Sequence, residues 1–167
     1  MDTATLITLY DYTCWATGCV LQATRLAGNE AFMAARPALY YGSLRGTLTH
    51  ILAAERIWRL RCQEGLSPTS LLDPQTFPTL EALATRWDEE QAAMRSYLTG
   101  LTNPDLTRKI EYRSTKGQPF QNTLWHLLVH VVNHGTQHRS EVAMILTELG
   151  QSPGDLDMIV YFRQKSE

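Results

Sequence analysis

Residues 122–149 read NTLWHLLVHVVNHGTQHRSEVAMILTEL. This stretch is long enough for about eight helical turns, and Gly150 stands where a C′ residue would close it, with Pro153 and Gly154 beyond. It therefore predicts one long helix. It also carries His126, His130, His134 and His138, each four residues from the next, out of five histidines in the chain. A step of four residues turns a helix by about 400°, so ladder neighbours lie about 40° apart and about 6 Å along the axis.

Three more segments with helical signals precede it. Residues 2–27 carry Leu6, Leu9, Tyr10, Thr13, Val20 and Leu21 at partial three-and-four spacing, with Asp2 or Thr3 as cap and Gly28-Asn29 as a stop. Residues 43–64 start at a Ser43 cap and place Leu44, Leu48, Ile51, Leu52, Trp58 and Cys62 on one broad face, with Glu55 its polar exception. Gly65 falls at the left-handed position after them. Residues 67–78 hold three prolines and read as a loop. Residues 79–100 form the third helix, opened by Thr79 and Glu81 and ended by Gly100. Partial alternation in residues 106–121, with Lys116-Gly117 as the turn, predicts a short β-hairpin before the last helix. The apolar stretch Met158 to Phe162 is expected to pack back on the body. Four helices with modest connections point to an all-α, four-helix-bundle domain spanning residues 1–167.

The chain has 167 residues, and Lys plus Arg number 15 against 17 Asp plus Glu, for a net charge of −2. That balance argues against a nucleic-acid binder that relies on a dominant basic field. No apolar run approaches the roughly 20 residues needed to span a bilayer. The three cysteines cannot all pair within one chain, and a domain of this length has no need of disulfides, so a reducing compartment is expected. Residues 1–8 show no secretory signal, and a cytoplasmic location is the expectation.

Two adjacent rungs of the ladder can share a metal ion, but all four cannot, because His126 and His138 are about 18 Å apart along the axis. Three pairs remain open. His126 and His130 lie in an apolar stretch; His134 and His138 lie in the polar stretch Asn133-His134-Gly135-Thr136-Gln137-His138-Arg139. Metal-bound imidazoles need a partner for their second nitrogen, which favours the last pair. His50, the histidine outside the ladder, lies on the second helix and is a candidate third ligand. Three histidines with open positions would be the pattern of a catalytic rather than a closed structural site. Against this stands the plainer reading of a polar helix face.

The run His130-Val131-Val132-Asn133-His134-Gly135-Thr136-Gln137-His138-Arg139, with Val142 to Leu146 and Leu149-Gly150, resembles the fourth-helix signature of the DinB family. Trp15-Ala16, His50-Ile51 with Glu55 and Trp58, and Pro153-Gly154-Asp155-Leu156-Asp157 through Tyr161 resemble its other segments, so the likeness covers nearly the whole chain. This DinB-like superfamily also includes thiol-dependent S-transferases and the mycothiol-dependent maleylpyruvate isomerase. The resemblance implies a four-helix bundle with a long crossover, commonly a homodimer, and a metal triad that falls on His50, His134 and His138. It links the chain to stress response through the family's name, which reflects induction and not DNA binding. One departure is visible: many members carry Gly-Gln after the histidine-arginine pair, and this chain has Ser140-Glu141.

Three neutral imidazoles suit zinc or nickel, or else iron. An open position can activate water for hydrolysis or hold a low-molecular-weight thiol as its thiolate, as the resemblance to thiol transferases implies. The expected function is thus a divalent-metal-dependent S-transferase or isomerase on a small molecule; the alternatives are a metal-dependent hydrolase and a non-catalytic stress-response binding protein. Glu55 is a candidate general base or partner of a ligand, set against an ordinary helical pair with Arg59. Arg139 is a candidate for holding a substrate carboxylate. Cys14, Cys19 and Cys62 read as small packing residues. The four tryptophans, one per helix, read as core, with Trp58 or Trp125 placed to line a pocket near a metal.

Overall fold

The computed structural model describes residues 1–165. Five helices and one hairpin make up the regular structure of these residues: α1 (Thr3–Met33), α2 (Leu44–Arg59), α3 (Leu80–Thr99), β1 (Lys109–Arg113), β2 (Pro119–Thr123), α4 (Leu124–Glu148) and α5 (Met158–Lys165). Three of the helix starts are closed by the side chains that the sequence offers as caps. Asp2 accepts from the Thr5 amide at 2.8 Å, Ser43 from Gly46 at 2.9 Å and Thr79 from Ala82 at 3.2 Å.

The first helix is longer than its stop signal predicts. Gly28 (φ 87°, ψ 165°) leaves helical geometry, yet the chain resumes helix through Met33. Glycine alone takes that φ without a steric penalty, so the signal marks a kink in the helix and not its end. The second helix ends in a π-helical turn, Leu60–Glu64, before the left-handed Gly65.

Helices α1 and α2 each pack on both α3 and α4, so α1 and α2 face one another across a diagonal. The segments joining α1 to α2, and α3 to α4, therefore cross the bundle, and the second crossing carries the hairpin. The strands are antiparallel, with Tyr112 opposite Phe120 and Arg113 opposite Pro119. The strand reading holds, and β2 also takes Asn122 and Thr123, which the sequence assigns to the helix. At the C-terminal end, α5 packs back on α1: Tyr161 is buried against Tyr12 and Trp15.

The apolar core falls into two large clusters. One gathers Val20, Phe32, Leu48, Leu52, Leu83 and Leu146. The other gathers Leu6, Met94, Leu98, Leu124, Leu128 and Val131. Each large side chain buried in them contributes about 1.5–3 kcal/mol. On α4 no residue from Val132 to Glu141 belongs to either of these clusters, and on α2 none does from Ala53 to Arg59 except Trp58 at the margin. Buried polar groups sit there among small and aliphatic side chains such as Ala54, Ile57 and Val132. Glu55 accepts from Tyr10 Oη and from Trp87 Nε1 (3.0 Å), and Arg139 is buried one side away. Buried polar side chains thus interrupt the apolar core on both α2 and α4.

Candidate metal centre

Where α2 faces α4, α2 supplies His50 and α4 supplies His134 and His138. One ring nitrogen from each lies within 4.8 Å of the other two, a set that can hold a metal ion. His50 Nε2 and His134 Nε2 are 2.9 Å apart. A tetrahedral ion with bonds of about 2.0–2.1 Å would place its ligands about 3.3 Å apart, so a small opening of the rings accommodates it. His138 is buried and His50 and His134 are half-buried.

Electrostatics favour the ligand form of these rings. Burial, reinforced by the neighbouring His138, lowers the His50 pKa to about 4. Burial followed by His50, His138 and His130 lowers that of His134 to about 3. Both are therefore neutral at physiological pH, with a lone pair available.

Two neighbours set the orientation of the rings. Glu141 Oε2 lies 2.9 Å from His138 Nδ1, which leaves Nε2 as the nitrogen that faces the other rings. A carboxylate in this position fixes the tautomer of a ligating histidine. Tyr41 stacks on His50 with ring centroids 3.9 Å apart, and its hydroxyl lies 2.8 Å from His50 Nε2. The backbone explains how Tyr41 comes so close to α2. A Cβ at Gly46 would meet the Tyr41 carbonyl oxygen at 2.1 Å, so only glycine permits the loop to lie there. His50 Nδ1 is buried without a hydrogen-bond partner. The three-imidazole donor set, the neutral state of His50 and His134 and the carboxylate beside His138 all fit a divalent ion.

A sequence profile described as the DinB family matches residues 1–167. The chain belongs to the DinB family. It is similar to Protein DinB of Bacillus subtilis (strain 168), at 24% identity over 164 residues, which cover 95% of each chain. The all-α bundle is the architecture that the resemblance implies, and the short hairpin is the one that the alternation in residues 106–121 predicts. Among the described residues no helix is long and apolar enough to cross a membrane.

In this DinB-family chain the other candidates lie around the three histidines and not among them. His130 sits edge-on to Trp58 at 5.2 Å and 5.6 Å from His134, and His126 sits against Trp125 at 4.1 Å. Glu55 does not pair with Arg59; that arginine reaches Glu90 on α3 and Glu64 instead. Burial pushes the Glu55 carboxyl up, against the opposing pull of its hydrogen bonds from Tyr10 and Trp87. Arg139 donates to Thr136 Oγ1 at 3.1 Å and lies over the Tyr12 ring, in space that Gly135 leaves open. Burial raises the thiols of Cys14 to about 11 and Cys62 to about 12, so neither supplies a thiolate at neutral pH. Trp87 is core, and Trp58 is the tryptophan that reaches toward the histidines. Two neighbours of the histidines escape a reading of the sequence. Glu141 is visible in retrospect as a carboxylate three residues past His138, at one of the two positions where the chain departs from the family's usual pair. Tyr41 lies in a loop, and nothing in its local pattern announces contact with His50.

Proposed function

We propose that His50, His134 and His138 hold one divalent metal ion, zinc or nickel in preference to iron, and that the protein is a metal-dependent S-transferase or isomerase acting on a small molecule. The observation that carries this is the convergence of three imidazoles from two helices, with no fourth His, Cys, Asp or Glu in the cluster among the described residues, which leaves positions for an exchangeable ligand. A bound divalent ion supplies a Lewis-acid site that holds a small thiol as its thiolate at neutral pH. The chain's own side chains bind and orient. His50 and His134 offer Nε2, Glu141 takes the Nδ1 proton of His138 as a hydrogen bond and holds that ring in place, and Tyr41 covers one face of His50. The chain's buried cysteines are held protonated, so the sulfur nucleophile must come from a co-substrate. Glu55, with both oxygens engaged inside the core, is given a packing role, and the homodimer implied by the family is carried with this reading.

The test uses the full chain loaded with zinc or nickel, a panel of small thiols, and 1-chloro-2,4-dinitrobenzene as electrophile. Attack by sulfur forms the C–S bond and expels chloride with its electron pair. Turnover that needs both metal and thiol, and is lost in His138→Ala with helicity intact, is the expected result. Ester or amide cleavage that is indifferent to thiol would instead establish the hydrolase. Absence of stoichiometric metal from the gently purified protein would overturn the proposal. Light scattering at micromolar protein reports the dimer.

A further inference from the structure

Next to the three histidines, α2, its π-helical turn and the hairpin enclose a cleft of about 270 Å³. Its walls include Ala54, Ile57, Trp58, Arg61, Tyr112 and Phe120. The cleft starts close to the histidines. Ala54 lies one turn beyond His50 on α2, and Trp58 touches His130, which in turn touches His134.

Arg61 is the unusual member of this wall. It is 6% exposed, with its guanidinium carbon 4.6 Å from the centre of the Trp58 ring and 5.1 Å from that of Tyr112. One terminal nitrogen donates to the Arg113 carbonyl at 3.0 Å, and Nε is buried without a partner. No carboxylate pairs with it among the described residues, and its neighbour two residues earlier shows the contrast. Arg59 is bound by both Glu64 and Glu90. A buried cation without an anion is costly, and aromatic faces repay only part of that cost. A guanidinium has five N–H donors in a fork that matches a carboxylate. Arg61 uses one of them on the Arg113 carbonyl, beside a cavity walled by three aromatic rings.

We propose that this cleft is a binding site for an aromatic carboxylate, with the carboxylate on Arg61, the ring against Trp58, Tyr112 and Phe120, and the far end directed toward His134. The direction of that far end rests on the metal-dependent reading; the binding itself does not. A small thiol bearing an aliphatic carboxylate is the other source of the same anion, and the test separates the two.

Calorimetric titration with naphthalene-2-carboxylate, naphthalene-2-carboxamide and cyclohexanecarboxylate decides the matter, using the zinc-loaded chain and metal-free His134→Ala. The aromatic acid is expected to bind at least tenfold more tightly than either the amide, which lacks the charge, or the cyclohexane acid, which lacks the ring. Arg61→Met is expected to cost the acid tenfold or more without changing the amide, and Arg61→Lys to restore part of the loss. The Trp58 indole and Arg61 Nε–H resonances should shift in NMR spectra on adding the acid. Acid binding should persist in His134→Ala, so a failure of the metal reading leaves this result standing. Equal affinity for acid and amide in the unaltered chain, equal affinity for the aromatic and aliphatic acids, no acid binding at millimolar concentration, or loss of acid binding in His134→Ala would each overturn the proposal. The comparisons made with the unaltered chain remain decisive if Arg61→Met fails to fold.

Discussion

The two halves of the α4 histidine ladder are chemically the same and end differently. His126 and His130 occupy the N-terminal half, and their rings meet tryptophans: Trp125 against His126, Trp58 against His130. His134 and His138 occupy the next turns with the same spacing, and they meet another histidine, a tyrosine and a carboxylate. The helix geometry does not distinguish the halves. What distinguishes them is the opposite wall, because α2 brings His50 to the level of the second half and Trp58 to the level of the first. The candidate constellation here is a property of two helices in register, and a spacing on one of them is only half of it.

The largest effect should come from deleting a rung. His134→Ala or His138→Ala is expected to weaken divalent metal binding at least 100-fold, and His126→Ala to leave it unchanged, as measured by competition with a chromophoric chelator. Equal loss from both halves of the ladder would break the comparison. Next comes the carboxylate that only the second half possesses: Glu141→Gln should cost about 10–100-fold in metal affinity, with His138 still present in the structure. The third is steric. Gly46→Ala drives a Cβ into the Tyr41 carbonyl and should lower stability by about 1–3 kcal/mol, read as a shift in the urea midpoint. It should also loosen metal binding, because Tyr41 is what covers His50; the same substitution at Gly18, where a Cβ meets nothing within 4 Å, should do neither.

The last effect is one of pH on the metal-free protein. His50 and His134 have folded pKa values lowered to about 4 and about 3, against about 6.5 in the unfolded chain. Below about pH 6.5 the unfolded chain takes up protons that these two rings refuse, so stability falls as pH drops from 6.5 toward 4 and is flat with respect to them above 6.5. Thermal unfolding of the metal-free chain at pH 7.5 and pH 5 should show this slope, and His50→Ala/His134→Ala should reduce it. His126→Ala should leave it in place.

These differences also mark what the sequence discloses. Ser43, Thr79 and Asp2 are legible as caps because capping is local, and so is the hairpin turn at Lys116-Gly117. The reach of α1 past Gly28 is not legible, since whether a glycine ends a helix or only bends it depends on what the next turn packs against; Phe32 is fully buried and holds that turn down. Glu55 misleads for the same reason. A partner four residues away is the local expectation, but Arg59 is drawn to Glu90 on α3 while Glu55 turns inward to Tyr10 and Trp87. In the candidate metal centre, polarity and the second-nitrogen argument favour the half of the ladder whose rings converge on His50, and His50 stands out as the remaining histidine. Tyr41 and the unpaired Arg61 are invisible, because both depend on segments remote in sequence: the loop that Gly46 admits, and the hairpin that brings Tyr112 over the guanidinium.

The most direct test is X-ray absorption spectroscopy at the metal edge of the zinc-loaded chain, alongside His134→Ala and His126→Ala. The unaltered chain and His126→Ala should each show one zinc with three imidazole nitrogens in its inner sphere, and His134→Ala should fail to hold it. An unaltered chain that binds no zinc, or one whose zinc has the same surroundings after His134 is removed, would contradict the account.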